Sequence, residues 1–210
     1  RGMVMEAKDA SALINGSTVS LAVAVIALAE AEILVRQADV GLALSLEAMR
    51  CEKDAFVAEL HEARPHAGQK TVAANVMAMI GASQRMTADA RHPRYPDEAP
   101  RDPESIPARV QDTYSLRCAP QVHGPVREAL AYIRGIITRE VNAATDNPLI
   151  VDQDGERRAL SGGHFHGAYV AQAMDLLAIT LTDLGAICER RIARLIDPNM
   201  SYGLPRNLAS

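Results

Sequence analysis

The sequence predicts an all-α fold, a bundle of long helices with proline-rich loops and one small β-hairpin, on three observations. From Ser17 the chain is rich in Ala, Leu, Val and Glu and meets no proline until Pro65, a composition that favours helix throughout. Val126, Leu130, Ile133, Ile137 and Val141 recur at spacings of four and three, which draws an apolar stripe along one helical face. The run from Gly167 to Ile196 reads as a further long helix, closed by Pro198.

The elements follow in order. Asn15 and Ser17 are both suitable N-caps for the first long segment, which is expected to be one very long helix or two joined near Gly41. After "ARPHAGQ" a shorter helix is expected over about Gln69 to Arg85. Pro93, Pro96, Pro100, Pro103 and Pro107 then forbid regular structure, so the longest and most mobile loop is expected there. Pro125 suits the first turn of the next helix, where its missing N–H costs nothing, and that helix is expected to stop at Asn147-Pro148. "PLIVDQDGERRAL" reads as a hairpin turning at Asp154-Gly155.

A chain of 210 residues that is 48% hydrophobic can bury a substantial core in one or at most two domains. Its 26 acidic and 22 basic residues form no long block of either sign, which gives no electrostatic case for nucleic acid or an anionic membrane. Cys51, Cys118 and Cys188 lack a C-x-x-C pair, so a reducing compartment, the cytoplasm, is expected. The first ten residues lack the order of a secretory signal. The apolar run "TVSLAVAVIALA" is closed by Glu30 and Glu32 before the ~20 residues a bilayer requires. The run from Tyr169 to Cys188 is interrupted by Gln172, Asp175 and Asp183. Both read as core helices of a soluble protein, yet they are apolar on nearly every face, so further chain or another subunit is expected to cover them.

Chemistry-bearing residues concentrate in the connections. "QDTYSLRCAP" places Gln111, Tyr114 and Arg117 close together. A planar guanidinium can hold a carboxylate through two parallel hydrogen bonds; equally, Arg117 can pair with a surface acid while Tyr114 packs under the proline loop. Asn15 in "ALINGST" and Asn147 in "ATDNPL" read as a cap and a helix stop. In "SGGHFHGAY", His164 and His166 form an H-x-H pair with His123 as a third imidazole. No acid or cysteine stands at matching spacing, so no metal is expected. Neither a G-x-S-x-G elbow nor a phosphate-binding glycine loop occurs.

In series, "ALINGST", "ARPHAGQ", "QDTYSLRCAPQVHGP", "ATDNPLI", "SGGHFHG" and "ERRIARLID" resemble the aromatic amino-acid ammonia-lyases, the histidine, phenylalanine and tyrosine enzymes and the related aminomutases. "SLRC" and "SGG" look most like the histidine branch. The resemblance implies long, near-parallel helices in a homotetramer whose active sites are shared between subunits, and a small-molecule amino-acid substrate. It also implies a methylidene-imidazolone electrophile made autocatalytically from an Ala-Ser-Gly triplet. This sequence contains no such triplet, so the chain is expected to be a central segment of a longer lyase, inactive alone. The loop with the family's tyrosine base and a distal acidic residue are expected outside it.

Carried over by position, the resemblance implies that Asn15 contacts the electrophile and the substrate amino group. Gln111 and Tyr114 would line the electrophile, with Tyr114 assisting its formation or the departure of ammonia. Arg117 would clamp the substrate carboxylate, Asn147 would be an active-site asparagine, and Phe165 would pack beside the electrophile. His164 stands where the family usually has asparagine. The function implied is elimination of ammonia from an aromatic amino acid, L-histidine to urocanate foremost. The alternatives are a tyrosine or phenylalanine lyase or aminomutase, and a non-catalytic helical scaffold that keeps the fold.

Overall fold

The structure, a computed structural model, describes residues 2, 4–87, 110–202 and 204–209. It is all-α with one two-stranded sheet: α1 (Asp9–Ile14), α2 (Thr18–Ala48), α3 (Ala58–Glu62), α4 (Ala67–Ile80), α5 (Tyr114–Arg117), α6 (Ala119–Val141), β1 (Leu149–Gln153), β2 (Glu156–Leu160) and α7 (Ala168–Leu195). Two 3-10 turns cover Asp54–Phe56 and Arg206–Leu208. The chain divides into two compact units, Arg1–Ala31 with Leu130–Ala178 and Glu32–Ala129 with Ile179–Ser210. The expected proline-rich loop lies outside the described residues.

The first long segment forms one very long helix, the first of the two expected forms, but it stops at Ala48 instead of filling the stretch to Pro65. Gly41 does not interrupt α2. Termination comes instead at Arg50, which takes a left-handed φ of 50°. Around it the Cys51 amide donates to Leu46 O (3.0 Å) and the Arg50 amide to Glu47 O (3.2 Å). This pair of bonds is the Schellman helix end, here built without glycine and therefore silent in the sequence. At the other end Asn15 is the C-cap of α1 rather than an N-cap of α2, with extended φ −79° and ψ 147°.

By length and composition, the Asp9–Ala48 stretch and α7 are apolar enough to cross a membrane, a test that the shorter runs read from the sequence did not meet. The helix breaks at Asn15 and Gly16, however, and from Thr18 to Ala29, before Glu30, it rises only about 18 Å against a hydrocarbon core of about 30 Å.

In the second unit, Leu42, Leu46 and Met49 of α2 join Val72, Val76 and Ile80 of α4, with Cys51, Phe56, Leu116 and Ala119, in one buried apolar cluster. The buried positions of α4 recur at three- and four-residue intervals, the period of a helix laid on a core. Gly68 of α4 and Gly124 of α6 meet backbone to backbone. A Cβ on Gly68 would run into the Gly124 carbonyl, and one on Gly124 would stand 2.5 Å from the Gln69 nitrogen, so no larger residue fits either position. The first-turn amide of the buried Gly68 in α4 donates to Glu128 Oε1 (2.8 Å), a carboxylate at the positive end of the helix dipole. Beside it Gln69 Nε2 donates to His61 Nδ1 (2.9 Å), and His61 Nε2 bonds Ala55 O (3.0 Å). A carbonyl only accepts, so the His61 proton is on Nε2.

α4 spans Ala67–Ile80 rather than Gln69–Arg85. Pro125 is inside α6, which begins at Ala119, and not in its first turn. α6 ends at Val141, short of Asn147. Val126, Leu130, Ile133 and Ile137 are buried as the stripe predicts, whereas Val141 is exposed.

In the first unit, β1 and β2 pair antiparallel from Leu149↔Leu160 to Gln153↔Glu156. Asp154 (φ 55°) and Gly155 (φ 82°) form the two-residue turn where the sequence put it, both left-handed as this tight hairpin requires.

Candidate functional site

Three of the six candidate residues, Asn15, Asn147 and Phe165, belong to the first unit. Asn15 and Asn147 are brought together by Asp146, which the sequence reading passed over inside "ATDNPL". Asp146 Oδ1 accepts from Asn15 Nδ2 (2.9 Å) and from the Asn147 amide (2.7 Å), while Oδ2 accepts from Lys8 Nζ (2.7 Å). The Asn147 carbonyl receives longer bonds from Lys8 Nζ (3.4 Å) and Asn15 Nδ2 (3.5 Å). Asn147 Oδ1 in turn accepts from the Gly162 amide (2.7 Å) and Ser161 Oγ (3.3 Å), which anchors the start of the loop that carries Phe165.

Two polar atoms stay open in this arrangement. Asn15 Oδ1, an acceptor, and Asn147 Nδ2, a donor, make no hydrogen bond among the described residues. Gly16 lets the motif close: its φ is +86°, and a Cβ there would lie 2.6 Å from Thr145 Oγ1 and 2.7 Å from Thr145 O, so both the backbone conformation and the space exclude a side chain.

Hydrogen bonds from Lys8 and Asn15 and from the Asn147 amide, with the Lys8 charge, hold the Asp146 carboxyl down from 3.8 to about 2. These groups stabilise the ionised form. A depressed folded-state pKa contributes stability that is present above the unfolded value and lost as pH falls through the folded one. Asp146 therefore supports the Asn15–Asn147 motif fully above pH about 4 and loses that role towards pH about 2.

Gln111, Tyr114 and Arg117 belong to the second unit. The single turn α5 carries Tyr114 and Arg117, and Gln111 is exposed just before it. Tyr114 is 70% exposed. The Arg117 guanidinium lies 4.6 Å from the Tyr114 ring centroid, a cation–π contact, and its Nε donates to Asp112 O (2.8 Å). Asp112 is itself buried, and its Oδ2 accepts from the Glu52 amide (2.6 Å). Among the described residues no acid pairs with Arg117, and neither terminal nitrogen of its fork makes a hydrogen bond. A cleft of about 930 Å³ opens beside Tyr114, Cys118 and Gln121, with Asp183, Arg190 and Arg194 of α7 across from them. Arg117 and Gln111 are not among its lining residues.

Behind the turn lie charged residues that the sequence reading did not single out. The buried Arg191 donates from Nε to Ser115 O (3.1 Å), and its NH2 meets His123 Nε2 at 3.4 Å. His123 Nδ1 is 2.9 Å from Asp39 Oδ1. Arginine only donates, so His123 accepts at Nε2 and gives its Nδ1–H to Asp39. Asp39 Oδ2 also accepts from Asn75 Nδ2 (3.1 Å) and from Arg127 NH2. Burial pushes the Asp39 carboxyl up, but the hydrogen bonds of His123 and Asn75 and the Arg127 charge outweigh it and leave it lowered. Burial pulls Arg191 below the usual guanidinium value.

The imidazoles weighed as metal ligands are otherwise engaged or exposed. His123 is in the Asp39 network, His166 Nδ1 accepts from the Ala168 amide (3.3 Å) at the start of α7, and His164 is exposed. The described residues hold no group of three His, Cys, Asp or Glu able to bind an ion.

A carboxyl-selective NMR titration of the protein is expected to place Asp146 near pH 2, and Lys8→Met is expected to return it towards 3.8. Titration of Asp146 at 3.8 with Lys8 intact contradicts the motif as described.

Comparison with known proteins places the chain in one family. The model of the aromatic amino acid lyases matches residues 2–210. Histidine ammonia-lyase of Koribacter versatilis is 44% identical over 99% of this chain and 39% of its own length. The crystal structure of histidine ammonia-lyase from Trypanosoma cruzi superposes with a TM-score of 0.80 at 39% identity, over 98% of this chain and 34% of that one. Tyrosine aminomutase from Streptomyces globisporus gives 0.81 at 34% identity, over 99% and 40%. This chain thus spans well under half the length of the curated relatives it matches. With its all-α fold and a family match along the described chain, it belongs to the aromatic amino acid lyase family.

Proposed function

We propose that the protein containing this chain eliminates ammonia non-oxidatively from an aromatic amino acid, with L-histidine as substrate and urocanate as product. The observation that carries the reading is the open fork of Arg117, a permanent cation with no acidic partner among the described residues, on a turn shared with an exposed tyrosine. L-Histidine is favoured over other aromatic amino acids because curated relatives at 40–45% identity carry the name histidine ammonia-lyase. A tyrosine aminomutase at 34% identity keeps the aminomutase alternative in the same chemical class.

In this reading the two terminal nitrogens of Arg117 take the substrate carboxylate as parallel hydrogen bonds, which fixes the orientation of the β-carbon. The cation–π contact with Tyr114 and the bond to Asp112 O hold the guanidinium in place before substrate arrives. Asn15 Oδ1 accepts from the substrate amino group, and Asn147 Nδ2 supplies a donor for developing negative charge. Tyr114 carries a hydroxyl that can give or take a proton at the departing amine, and Gln111 adds an amide beside it. Phe165 offers an aromatic face, 43% exposed. The open amide acceptor and donor of Asn15 and Asn147 fit the polar groups of a methylidene-imidazolone. That group, when present, supplies an electrophile that makes the amine a better leaving group.

A homotetramer with shared active sites is part of the same proposal. Its support is the exposed apolar surface of α2, where Val19, Val23, Ile26 and Leu44 are all more than 60% exposed, more than a free-standing helix leaves in water. Light scattering of the whole protein is expected to give four subunits, and a monomer at micromolar concentration contradicts it. Cys51, Cys118 and Cys188 form no disulfide among the described residues, in keeping with the cytoplasmic location we propose.

Removing a desolvated charged hydrogen-bond partner typically costs ~2–5 kcal/mol. At ~1.4 kcal/mol per factor of ten, Arg117→Ala in the whole protein is expected to lower kcat/KM for L-histidine by roughly 30-fold to several thousand-fold. Arg117→Lys is expected to recover only part of the loss, since a point charge cannot reproduce the fork. Near-unchanged kcat/KM in Arg117→Ala overturns the clamp. Release of cinnamate or coumarate in preference to urocanate overturns the choice of L-histidine.

A further inference from the structure

We propose that Asp39, His123 and Arg191 form a positioning relay that holds the Ser115 carbonyl, and with it the orientation of Tyr114 and Arg117 towards substrate. The inference rests on the reading of that turn given above. Its starting point is the shape of α5. Ser115 and Leu116 point into the protein, 7% and 0% exposed, while Tyr114 on the same turn is 70% exposed. Four residues cannot sustain a helix by themselves, because a first turn fixes many dihedrals for few bonds. The turn has amide bonds from Leu116 and Arg117 to Thr113 O and from Cys118 to Tyr114 O, each 3.0 Å. The buried anchor from outside is Arg191 Nε on Ser115 O.

That anchor is an expensive choice for a structural contact alone. Arg191 is 4% exposed, and among the described residues its hydrogen-bond partners are the Ser115 carbonyl, the His123 imidazole and the Cys188 sulfur, none of them a carboxylate. A neutral donor would satisfy one carbonyl without burying a charge. A guanidinium, however, is a stronger donor with a rigid plane, so it fixes direction as well as distance. The compensating negative charge is Asp39, reached through His123, whose Nε2 accepts from an Arg191 N–H and whose Nδ1–H donates to the carboxylate. Asn75 and Arg127 hold Asp39 from the other side. The plane of Arg191 is thereby set by residues of α2, α4 and α6, while its product, the direction of α5, is read out at Tyr114 and Arg117.

The test uses the whole protein with Arg191→Lys, which keeps the charge but loses the plane, and Asp39→Asn, which keeps the shape but loses the charge. In both, amide hydrogen exchange at Leu116, Arg117 and Cys118 is expected to quicken by about tenfold, the scale of one buried hydrogen bond; in Arg191→Lys, Val76 in α4 is expected to stay unchanged. KM for L-histidine is expected to rise by a similar factor with a smaller fall in kcat. Combined with Arg117→Ala, Arg191→Lys is expected to add little further loss, since both act through the same clamp. Unchanged exchange at Leu116–Cys118, or losses that multiply in the double variant, overturns the relay and leaves Arg191 as core packing. Wild-type kcat/KM in Arg117→Ala alone overturns the substrate reading instead, and the exchange rates still decide the relay.

Discussion

One buried carboxylate, Asp39 in the middle of α2, ties the second unit together. It receives hydrogen bonds from Asn75 of α4 and from His123 and Arg127 of α6, and through His123 it reaches Arg191 of α7 and the α5 turn. Taking a carboxylate out of water costs several kcal/mol, and removing one partner of a buried pair typically costs about 3–5 kcal/mol. Such a node is tolerated only when every lone pair is used, and here both oxygens are. Because these partners hold Asp39 below its ordinary value despite burial, its contribution is present above the ordinary carboxylate pKa of 3.8 and is lost as pH falls below it. The apolar cluster around Leu42, Leu46 and Phe56 supplies bulk stability, whereas Asp39 links α2, α4 and α6 by directional hydrogen bonds.

The sequence conveyed helices wherever the signal was local and periodic. The stripe of α6 and the proline-free runs of α2 and α7 became helices, and Asp154-Gly155 became the hairpin turn. It misled where termination used an uncommon device. α2 ends on a left-handed Arg50 instead of a glycine, so Gly41 drew attention to the wrong place. Pro125 suggested a helix start because proline removes an amide donor, yet α6 already begins at Ala119 and accepts it in the interior.

The candidate site divided along the same line. Residues carried in the quoted motifs, Asn15, Tyr114, Arg117 and Asn147, stood out as candidates by order and type. Lys8, Asp39, Asp146 and Arg191 act only through contacts made after folding, some between positions more than a hundred residues apart. Their signals were present but mute: Asp146 adjoins Asn147, Arg191 lies in "ERRIARLID", and His123 was weighed as a ligand although it is a hydrogen-bonded core histidine. A charged residue on a helix otherwise apolar is the feature that would have marked Asp39, and a charge inside a quoted motif the one that would have marked Arg191.

The central claim is that the α5 turn presents a preorganised cationic fork to a substrate carboxylate. A crystal structure of the whole protein with a non-reacting carboxylate analogue of L-histidine tests it most directly. The account predicts the analogue's carboxylate in two parallel hydrogen bonds to the terminal nitrogens of Arg117, with the Arg117–Tyr114 stacking and the Asp112 carbonyl contact retained. A carboxylate bound by another cation, with the Arg117 fork still unliganded, contradicts it.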